Sequence, residues 1–488
     1  MTDIHQSTER IPMGQRVAEL ADAHPDETAM VFVTATGDEH HYSWSEVEKK
    51  ANGAARAMRQ LGVTHESLVV IALPTSFAHV VTTIGAWKLG ALVLPVDPGV
   101  TKSEQRELLA LPGSPFVIAD ADWASISLVR LLDEPDQRPL LPPPGKPRSA
   151  SATGGSTGKP RYVVLREWTY PAKGLPTSDD TAAGLRLHQV SLSSLPLFHA
   201  GFGAMHYCLA LAHKVVILET FRPELFVEAI RRHKVNTLRT VPAAMRAVLD
   251  VPGISAEDFA SMEAFHHTAA SCPEPVKRAW LHLVRPEALY EDYDSVERIG
   301  TVSIRGHDWL EHPGSVGRPT GCEVRILSED GAWAPHGEIG EVFMRSGRSR
   351  QPTYVGEGPP LREIDGFFSL GDMGYLDEEG WLYLAGRRSD IISVGGAKVM
   401  PKEVEEVLLA HPAVSDVAVV PRSHEYLGQS VHALVVTAPG AHVGNLDLYH
   451  HCRSRLVMEK VPLTFDFVSR IPRSAAGKLR RHALTDGL

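Results

Sequence analysis

The stretch VVIALPTSFAHVVTTIGAWKLGALVLPVDP (residues 69–98) sets the pattern of the first large region of the chain. A short apolar run ends at Pro74, an apolar segment of helical length continues to Gly90, and a second short apolar run follows. This order is typical of a β-α-β unit. The same rhythm returns at residues 190–220 and around the amphipathic segment 223–233. The sequence therefore predicts an α/β fold with a large N-terminal domain of layered sheets and helices.

Two breaks in composition organise the rest of the chain. The proline-rich segment 135–148 excludes helix and central strand, so we expect an exposed connection inside the large domain. A second break follows residues 381–386, where a hairpin pattern gives way to the sequence GRRSD. The sequence predicts a large domain over residues 1–386, a hinge at 387–390 and a small, mobile α+β domain over residues 391–488.

The composition argues against several classes of protein. A formal net charge of -10 over 488 residues gives no positive field for a nucleic acid backbone. No stretch reaches the roughly 20 apolar residues of a membrane-spanning helix, and the amino terminus has no signal-peptide pattern. We expect a cytoplasmic enzyme of small molecules, without nucleic acid or membrane partners. The cysteines lie far apart without a CxxC pair, which indicates neither a zinc site nor a disulfide framework: Cys208, Cys272, Cys322 and Cys452.

A glycine-rich segment, TGGSTGKPR (residues 153–161), has the composition of a phosphate-binding loop. Glycines let backbone N–H groups approach an anion closely, hydroxyls add donors, and Lys159 and Arg161 add positive charge. A Walker loop does not match, because Thr153 replaces its first glycine and Pro160 follows the lysine. Taken alone, the segment leaves a flexible Gly/Ser linker open as the alternative.

Five motifs in order extend this observation over nearly the whole chain: TGGSTGKPR at 153, SLPLFHAG at 194, YEDYDSVE at 290, the segment 369–405 that begins SLGDMG, and RIPRSAAGKLRR at 470. Their order and spacing resemble the motif set of the acyl-adenylate-forming superfamily, which contains acyl-CoA synthetases, the adenylation domains of peptide synthetases and luciferases. The resemblance implies that residues 1–386 bind ATP and an acid. It also implies an ATP-dependent carboxylic-acid ligase that forms an acyl-AMP and pyrophosphate and then passes the acyl group to a second nucleophile.

The resemblance further implies the residues of the nucleotide site. The β- and γ-phosphates of ATP are expected on the glycine-rich loop: Thr153, Gly154, Gly155, Ser156, Thr157, Gly158 and Arg161. Tyr293 is expected to stack on adenine, Asp372 to hold the ribose hydroxyls, and Arg387 to make a second ribose or phosphate contact. Glu297 and Thr157 are the expected Mg²⁺ ligands, since Mg²⁺ prefers hard oxygen ligands.

The same resemblance implies the catalytic and acid-binding residues. Lys478 matches a lysine that meets both the carboxylate and the α-phosphate, where a cation stabilises the charge that develops on phosphorus. With it, His199 and Glu297 complete the expected catalytic set. For His199 alone, a hydrogen-bonded histidine at a strand end is an equal alternative. An aromatic or bulky apolar acid is expected, because the predicted acyl pocket is largely apolar and small: His199, Phe202, Gly203, His267 and Ala269.

Three departures from the motif set leave the acceptor of the acyl group open. In the YGxTE motif the chain has Asp294 for glycine and Val296 for threonine, so Ser295 or another donor must replace the threonine hydroxyl that donates to the α-phosphate. The tail motif has Ala476 in place of serine. The hinge reads Ser389 before Asp390.

These departures are similar to those expected of stand-alone amide bond synthetases, such as the β-carboline amide synthetase, in which an amine attacks the adenylate. We favour the amine as acceptor. Transfer to coenzyme A is the alternative, with Gly395 and Gly396 lining a pantetheine tunnel. A third hypothesis is a ligand-binding homologue without turnover, against which the intact Asp372, Glu297 and Lys478 argue. The resemblance is compatible with a homodimer.

Overall fold

The computed structural model describes residues 10–140, 147–153, 161–165, 169–171, 177–347, 349–356, 358, 360–473, 479, 481 and 484. Up to residue 171 the elements are β1 (Arg10–Pro12), α1 (Met13–Ala23), β2 (Thr28–Val33), β3 (Glu39–Ser43), α2 (Trp44–Gln60), β4 (Leu68–Ala72), α3 (Phe77–Lys88), β5 (Leu92–Pro95), α4 (Lys102–Leu109), β6 (Phe116–Ala119), α5 (Leu128–Leu132), β7 (Arg148–Thr153), β8 (Arg161–Leu165) and β9 (Thr169–Pro171).

The middle of the chain continues with α6 (Ser178–Ala182), β10 (Val190–Ser193), α7 (Gly201–Ala210), β11 (Lys214–Leu218), α8 (Pro223–His233), β12 (Thr237–Thr240), α9 (Pro242–Val248), β13 (Ala264–His267), α10 (Glu274–Leu283), β14 (Leu289–Tyr293), β15 (Val302–Arg305), α11 (Gly306–Glu311), β16 (Ser315–Pro319), β17 (Cys322–Leu327), β18 (Gly340–Ser346), β19 (Thr353–Tyr354), β20 (Arg362–Ile364), β21 (Phe367–Ser369), β22 (Asp372–Leu376) and β23 (Leu382–Arg387). The last elements are β24 (Ile392–Val394), β25 (Ala397–Val399), α12 (Pro401–Leu409), β26 (Val414–His424), β27 (Gly428–Thr437), α13 (Asn445–Arg453) and β28 (Thr464–Phe467).

The predicted β-α-β unit at residues 69–98 is present as β4, α3 and β5, with β4 and β5 parallel. Helix α3 begins where the Ser76 side chain accepts a hydrogen bond from the His79 amide, and it is buried on nearly all sides. Gly85 makes this possible, because a Cβ there would lie 2.9 Å from the Ala51 carbonyl oxygen of α2. The unit at residues 190–220 is likewise formed by the parallel strands β10 and β11 around α7.

The largest sheet among the described residues carries the central parallel strands in the order β14, β13, β12, β10, β11, β2. Antiparallel strands extend it at both ends. A six-stranded sheet, β19-β8-β7-β5-β4-β6, lies in the same part of the chain. Because the parallel strands point the same way, their carboxyl ends meet at one edge of the large sheet, and ligands of open α/β sheets bind at such an edge.

The C-terminal part has its own sheet, β25-β24-β27-β26 with β28 beside β27, and its own hydrophobic core. Every side chain of that core comes from residue 392 or later. The predicted combination of a large α/β part and a small α+β part is therefore correct. The domain limits at residues 386 and 391 remain predictions.

The proline-rich connection is described for residues 135–140, and residues 141–146 lie outside the described part. It runs along α2, where Arg56 donates to the carbonyl oxygens of Arg138 (2.7 Å) and Pro139 (3.1 Å). Over the described ranges, none of the helices is both long enough and apolar enough to span a bilayer.

Gly201 at the start of α7 provides a test of the local packing. A Cβ at this position would overlap the carbonyl oxygens of Leu195 and Pro196, which are backbone atoms and cannot move aside as a side chain can. We expect Gly201→Ala to destabilise the large domain by about 1–3 kcal/mol, the usual range for overpacking. Gly347→Ala is the control, because a Cβ there has open space. Thermal unfolding midpoints measure both, and equal midpoints would contradict the packing of α7.

Candidate active site

A cleft opens at the carboxyl ends of β10, β12, β13 and β14 and extends to the hinge segment and α12. Most of the described residues predicted to bind nucleotide or acid line it: Arg161, His199, Phe202, Gly203, Ala269, Tyr293, Ser295, Glu297, Asp372 and Arg387. The predicted hinge residues Ser389 and Asp390 line it as well. Motifs that are far apart in the sequence are thus brought to one place by the order of the strands.

Three side chains converge in this cleft, with the Asp372 carboxylate at their centre. Asp372 begins β22 directly opposite Arg387, the last residue of β23, and Tyr293 ends β14. The Tyr293 hydroxyl donates to Asp372 Oδ2 at 2.7 Å, and Arg387 Nε donates to Oδ1 at 3.2 Å. Burial, and then the Asp372 charge, raise the pKa of Tyr293 well above its usual value, so the hydroxyl remains a donor. Each carboxylate oxygen keeps a lone pair for a further hydrogen bond from a ligand.

The turn after β14 supplies an unused hydroxyl and a carboxylate. Ser295 Oγ is buried and has no hydrogen-bond partner in the described structure, although buried hydroxyls are usually paired. Two residues further along the chain, Glu297 is half-buried and lines the cleft near Tyr354 and Arg161. Burial, and then the charge of Glu297, raise the pKa of Tyr354, whereas the charge of Arg161 lowers it. The turn therefore holds one hydroxyl and one carboxylate available to a ligand.

The glycine-rich loop connects two antiparallel strands, with Thr153 of β7 opposite Arg161 of β8. Arg161 lines the cleft. The predicted phosphate-binding residues between these strands lie outside the described residues: Gly154, Gly155, Ser156, Thr157 and Gly158. Lys478 of the tail also lies outside them.

The predicted acyl-pocket residues are divided by the structure. His199 is exposed in the turn before α7, six residues beyond the end of β10, so it is not a strand-end histidine. Phe202 is buried edge-on against Trp87, with ring centres 5.6 Å apart, and also reaches the cleft. Ala269 has φ 75°, a left-handed conformation that costs a non-glycine residue about 1–3 kcal/mol and is often found at functional sites.

His267 does not reach the cleft, and its neighbour His266 does. Adjacent residues of a strand point to opposite faces of the sheet. His267 is fully buried 3.9 Å from Glu291, whose carboxylate accepts a hydrogen bond from the buried Lys277, and burial lowers the pKa of His267 to about 4. The structure thus places His266, rather than the predicted His267, among the lining residues.

A charged cluster in the cleft was missed by the sequence analysis. Arg239 of β12 donates to Asp292 Oδ2 at 2.7 Å and to Asp294 Oδ2 at 3.3 Å. In the sequence, Asp294 is notable only because it replaces the glycine of a motif. The one signal of a cluster is an arginine inside the short buried strand TLRT, since charged side chains are rarely found there without partners.

Arg481, a described residue near the end of the chain, is bonded to the small domain. Arg481 donates through both terminal nitrogens to Glu405 of α12, at 2.7 and 3.0 Å, and through Nε to Asp390 at 3.1 Å. Burial opposes the charge, but the carboxylates of Glu405 and Asp390 raise the pKa of Arg481. Arg481, three residues beyond Lys478 in the sequence, thus pairs with Asp390 of the predicted hinge.

Comparisons with known proteins agree with this arrangement. The family model described as "AMP-binding enzyme" matches residues 17–351, and "AMP-binding enzyme C-terminal domain" matches residues 403–478. The chain belongs to the AMP-binding enzyme family. As a member of that family, it is an ATP-dependent, AMP-forming ligase, and the predicted superfamily is confirmed.

Individual relatives of this AMP-binding enzyme differ in the reaction that their names give. The 2-succinylbenzoate–CoA ligase of Bacillus cytotoxicus is 31% identical, over 68% of each chain. Two solved structures share the fold: o-succinylbenzoate CoA synthetase (MenE) from Bacillus subtilis in complex with the acyl-adenylate intermediate OSB-AMP, with TM-score 0.81, 24% identity and coverage of 98% and 99%, and the amide bond synthetase McbA from Marinactinospora thermotolerans, with TM-score 0.77, 23% identity and coverage of 97% and 99%.

The Asp372 carboxylate gives a direct test of the nucleotide site. Hydrogen bonds to a charged group are worth about 1.5–3 kcal/mol, so Asp372→Asn is expected to lower kcat/KM for ATP about 10- to 100-fold. Asp122→Asn, at an exposed position outside the cleft, is the matched control. Steady-state pyrophosphate release at varied ATP measures the effect. An unchanged kcat/KM for ATP in Asp372→Asn would contradict the assignment.

Proposed function

We propose that this enzyme joins a small carboxylic acid to AMP and then transfers the acyl group to an amine, which gives an amide. In the first step a carboxylate oxygen attacks the α-phosphorus of ATP, and the bond to pyrophosphate breaks. In the second the amine nitrogen attacks the acyl carbon, AMP leaves, and the nitrogen loses a proton. The observation that carries the first step is the convergence of Tyr293, Asp372 and Arg387 in one cleft with the Ser295 hydroxyl and the Glu297 carboxylate, which pair with no described residue.

Each of these side chains has a proposed role toward the nucleotide. Asp372 accepts hydrogen bonds from the ribose hydroxyls, Arg387 contacts the ribose or a phosphate, and the Tyr293 ring packs on adenine. Ser295 provides the donor to the α-phosphate that Val296 cannot provide. Its hydroxyl is buried and has no partner among the described residues, which supports this role, because an unpaired buried donor is costly unless a ligand satisfies it.

Mg²⁺ is proposed to accompany ATP. Glu297 fits this ion, because it offers a carboxylate that makes no ion pair with a described residue and lies near Arg161, at the start of the strand that leaves the glycine-rich loop. Thr157 of that loop is the proposed second ligand. Mg²⁺ usually takes one or two protein oxygens and completes its shell with phosphate and water, so a three-residue cluster is not required. When bound, the ion neutralises charge on the triphosphate.

Lys478 and His199 are the proposed catalytic side chains on the acid side. Adenylation brings two anions together, so an ammonium group between carboxylate and α-phosphate lowers the barrier. His199 lies in the exposed turn before α7, at the cleft, where an imidazole can accept the proton that the amine nitrogen releases.

The choice of an amine depends on the departures at Val296, Ala476 and Ser389 and is supported by the fold shared with an amide bond synthetase. Coenzyme A is the second candidate. Several relatives are named CoA ligases, among them one 31% identical to this chain. Gly395 and Gly396, both with positive φ, form the turn between β24 and β25 that would line a pantetheine tunnel.

Replacement of Lys478 by alanine tests the adenylation step. Removal of a donor that acts in the transition state typically costs about 100- to 1,000-fold in rate, and we expect that loss in acid-dependent pyrophosphate release. Lys49→Ala, at an exposed position on α2, is the control. If Lys478→Ala released pyrophosphate at the wild-type rate, the role of this lysine would be wrong.

A product assay tests the acceptor. The enzyme is supplied with ATP, Mg²⁺ and a panel of aromatic acids, with either a simple amine or coenzyme A, and products are identified by mass spectrometry. We expect amides to form at least tenfold faster than thioesters at equal acceptor concentration. Accumulation of the thioester alone would exclude the amide proposal in favour of the CoA ligase.

A further inference from the structure

Arg239, Asp292 and Asp294 form a hydrogen-bonded charged cluster that lines part of the cleft. Arg239 lies between the two carboxylates and donates to each. Its side chain is 35% exposed and that of Asp294 is 32% exposed, whereas that of Asp292 is only 6% exposed. The buried Asp292 thus holds the arginine in place, and the side chains of Arg239 and Asp294 are partly exposed to the cleft.

The anchor is itself held by further hydrogen bonds. Ser303 donates to Asp292 Oδ1 at 2.8 Å, and His266 Nδ1 lies 2.8 Å from Oδ2. Thr268 donates to the Asp292 carbonyl oxygen at 2.8 Å and lies 3.2 Å from Asp294 Oδ1. The other ring nitrogen of His266 lies 2.9 Å from the carbonyl oxygen of Ala183, so the ring is held through both of its nitrogens. The Asp292 carboxylate therefore has a hydrogen-bond partner on each of its oxygens.

The two carboxylates stabilise the positive charge of Arg239. Burial opposes the charge on Arg239, but Asp294 and Asp292 together raise the pKa of the guanidinium. The same two carboxylates use only two of its five N–H donors, and Asp294 keeps lone pairs as well. An entirely apolar acid would exclude water from the polar atoms of Arg239 and Asp294 without offering them new hydrogen bonds. The loss of those hydrogen bonds costs roughly 1–3 kcal/mol for each unpaired polar group and more for a charged one.

The chain order connects the pair to the predicted acid side of the cleft. Pro242 and Ala243 follow β12, which carries Arg239, Ala269 follows β13, and Phe202 also lines the cleft, so the lining that contains the charged pair includes apolar side chains. Ser295, the proposed α-phosphate donor, directly follows Asp294. An acid whose carboxylate points to the α-phosphate would therefore have its body within reach of Arg239 and Asp294.

We propose that Arg239 and Asp294 determine the acid specificity by binding a neutral polar group, a hydroxyl or amide, on an otherwise apolar acid. Arg239 donates to the oxygen of that group, and Asp294 accepts its hydrogen. A second carboxylate in this position would face Asp294, so dicarboxylic acids are excluded. This inference rests on the proposed adenylation of an acid and defines the class of acid further.

Matched acids provide the test. Acid-dependent pyrophosphate release is measured for naphthoic acid, a set of its positional hydroxy and carboxamide derivatives, and the corresponding dicarboxylic acids. Sites that hydrogen-bond a substrate group reject analogues without it strongly. We expect the best hydroxy or carboxamide derivative to exceed naphthoic acid in kcat/KM by about 100-fold or more, and the dicarboxylic acids to be the poorest substrates.

Two variants connect that preference to the pair. Arg239→Met is expected to reduce the preference for the polar acid over naphthoic acid to less than about tenfold, through a change in KM for the acid. The KM for ATP is expected to stay within about twofold of wild type. Asp294→Asn keeps the shape and removes only a partly exposed charge, so it gives the same readout even if Arg239→Met fails to fold. Arg231→Met is the control, since Arg231 pairs with Asp258 outside the cleft lining.

The outcomes are distinct. A preference for the polar acid that is present in wild type and Arg231→Met, and absent from the cleft variants, supports the inference. If naphthoic acid is the better wild-type substrate, or the cleft variants keep the preference, the inference is wrong while adenylation stands. If no acid in the panel releases pyrophosphate from wild type, the proposed function fails and the specificity inference fails with it.

Discussion

The carboxylate of Asp372 joins the parts of this molecule that must act together. It accepts from Tyr293 at the end of β14 and from Arg387 at the end of β23, so the parallel part of the large sheet and the antiparallel strand that leads into the predicted hinge meet at one side chain. The pairing of β22 with β23 fixes Arg387 opposite Asp372. A nucleotide bound at Asp372 therefore contacts the chain immediately before the predicted pivot.

The hydrogen bonds around the predicted hinge divide at Ser389. Arg388 is bonded to the large domain, through its amide to the Gly371 carbonyl oxygen (2.8 Å) and through its side chain to the buried Glu341 (3.1 Å). Asp390 is bonded to Arg481, which also holds Glu405 of the small domain. Only the backbone around Ser389 therefore lies between the hydrogen bonds of Arg388 to the large domain and those of Asp390 to Arg481. A rotation at this point would carry the tail with α12 and leave the Asp372 site intact.

Local sequence patterns predicted the fold well. The features that these patterns did not predict are determined by contacts between strands that are distant in the sequence. The unit at residues 69–98 follows from apolar runs and from the turns at Pro74 and Gly90, all of which are local. By contrast, His266 and His267 are both buried in β13, and which of them faces the cleft depends on the neighbouring strands. The contact of Arg239 with Asp294 joins residues 55 positions apart, and it exists because β12, β13 and β14 are adjacent in that order. No periodicity within either segment contains that information.

The departure at Asp294 gains a physical reason from its partner. A carboxylate in place of glycine, next to Asp292 and close to the proposed triphosphate site, would by itself concentrate negative charge in a partly buried space. Arg239 supplies the opposite charge and donates to both carboxylates, so the aspartate is accommodated as part of this group. The change in the motif is therefore better understood as a rebuilt acid pocket than as a weakened phosphate site. On that interpretation, the α-phosphate donor that Val296 cannot supply is the hydroxyl of the adjacent Ser295, which is buried and pairs with no described residue.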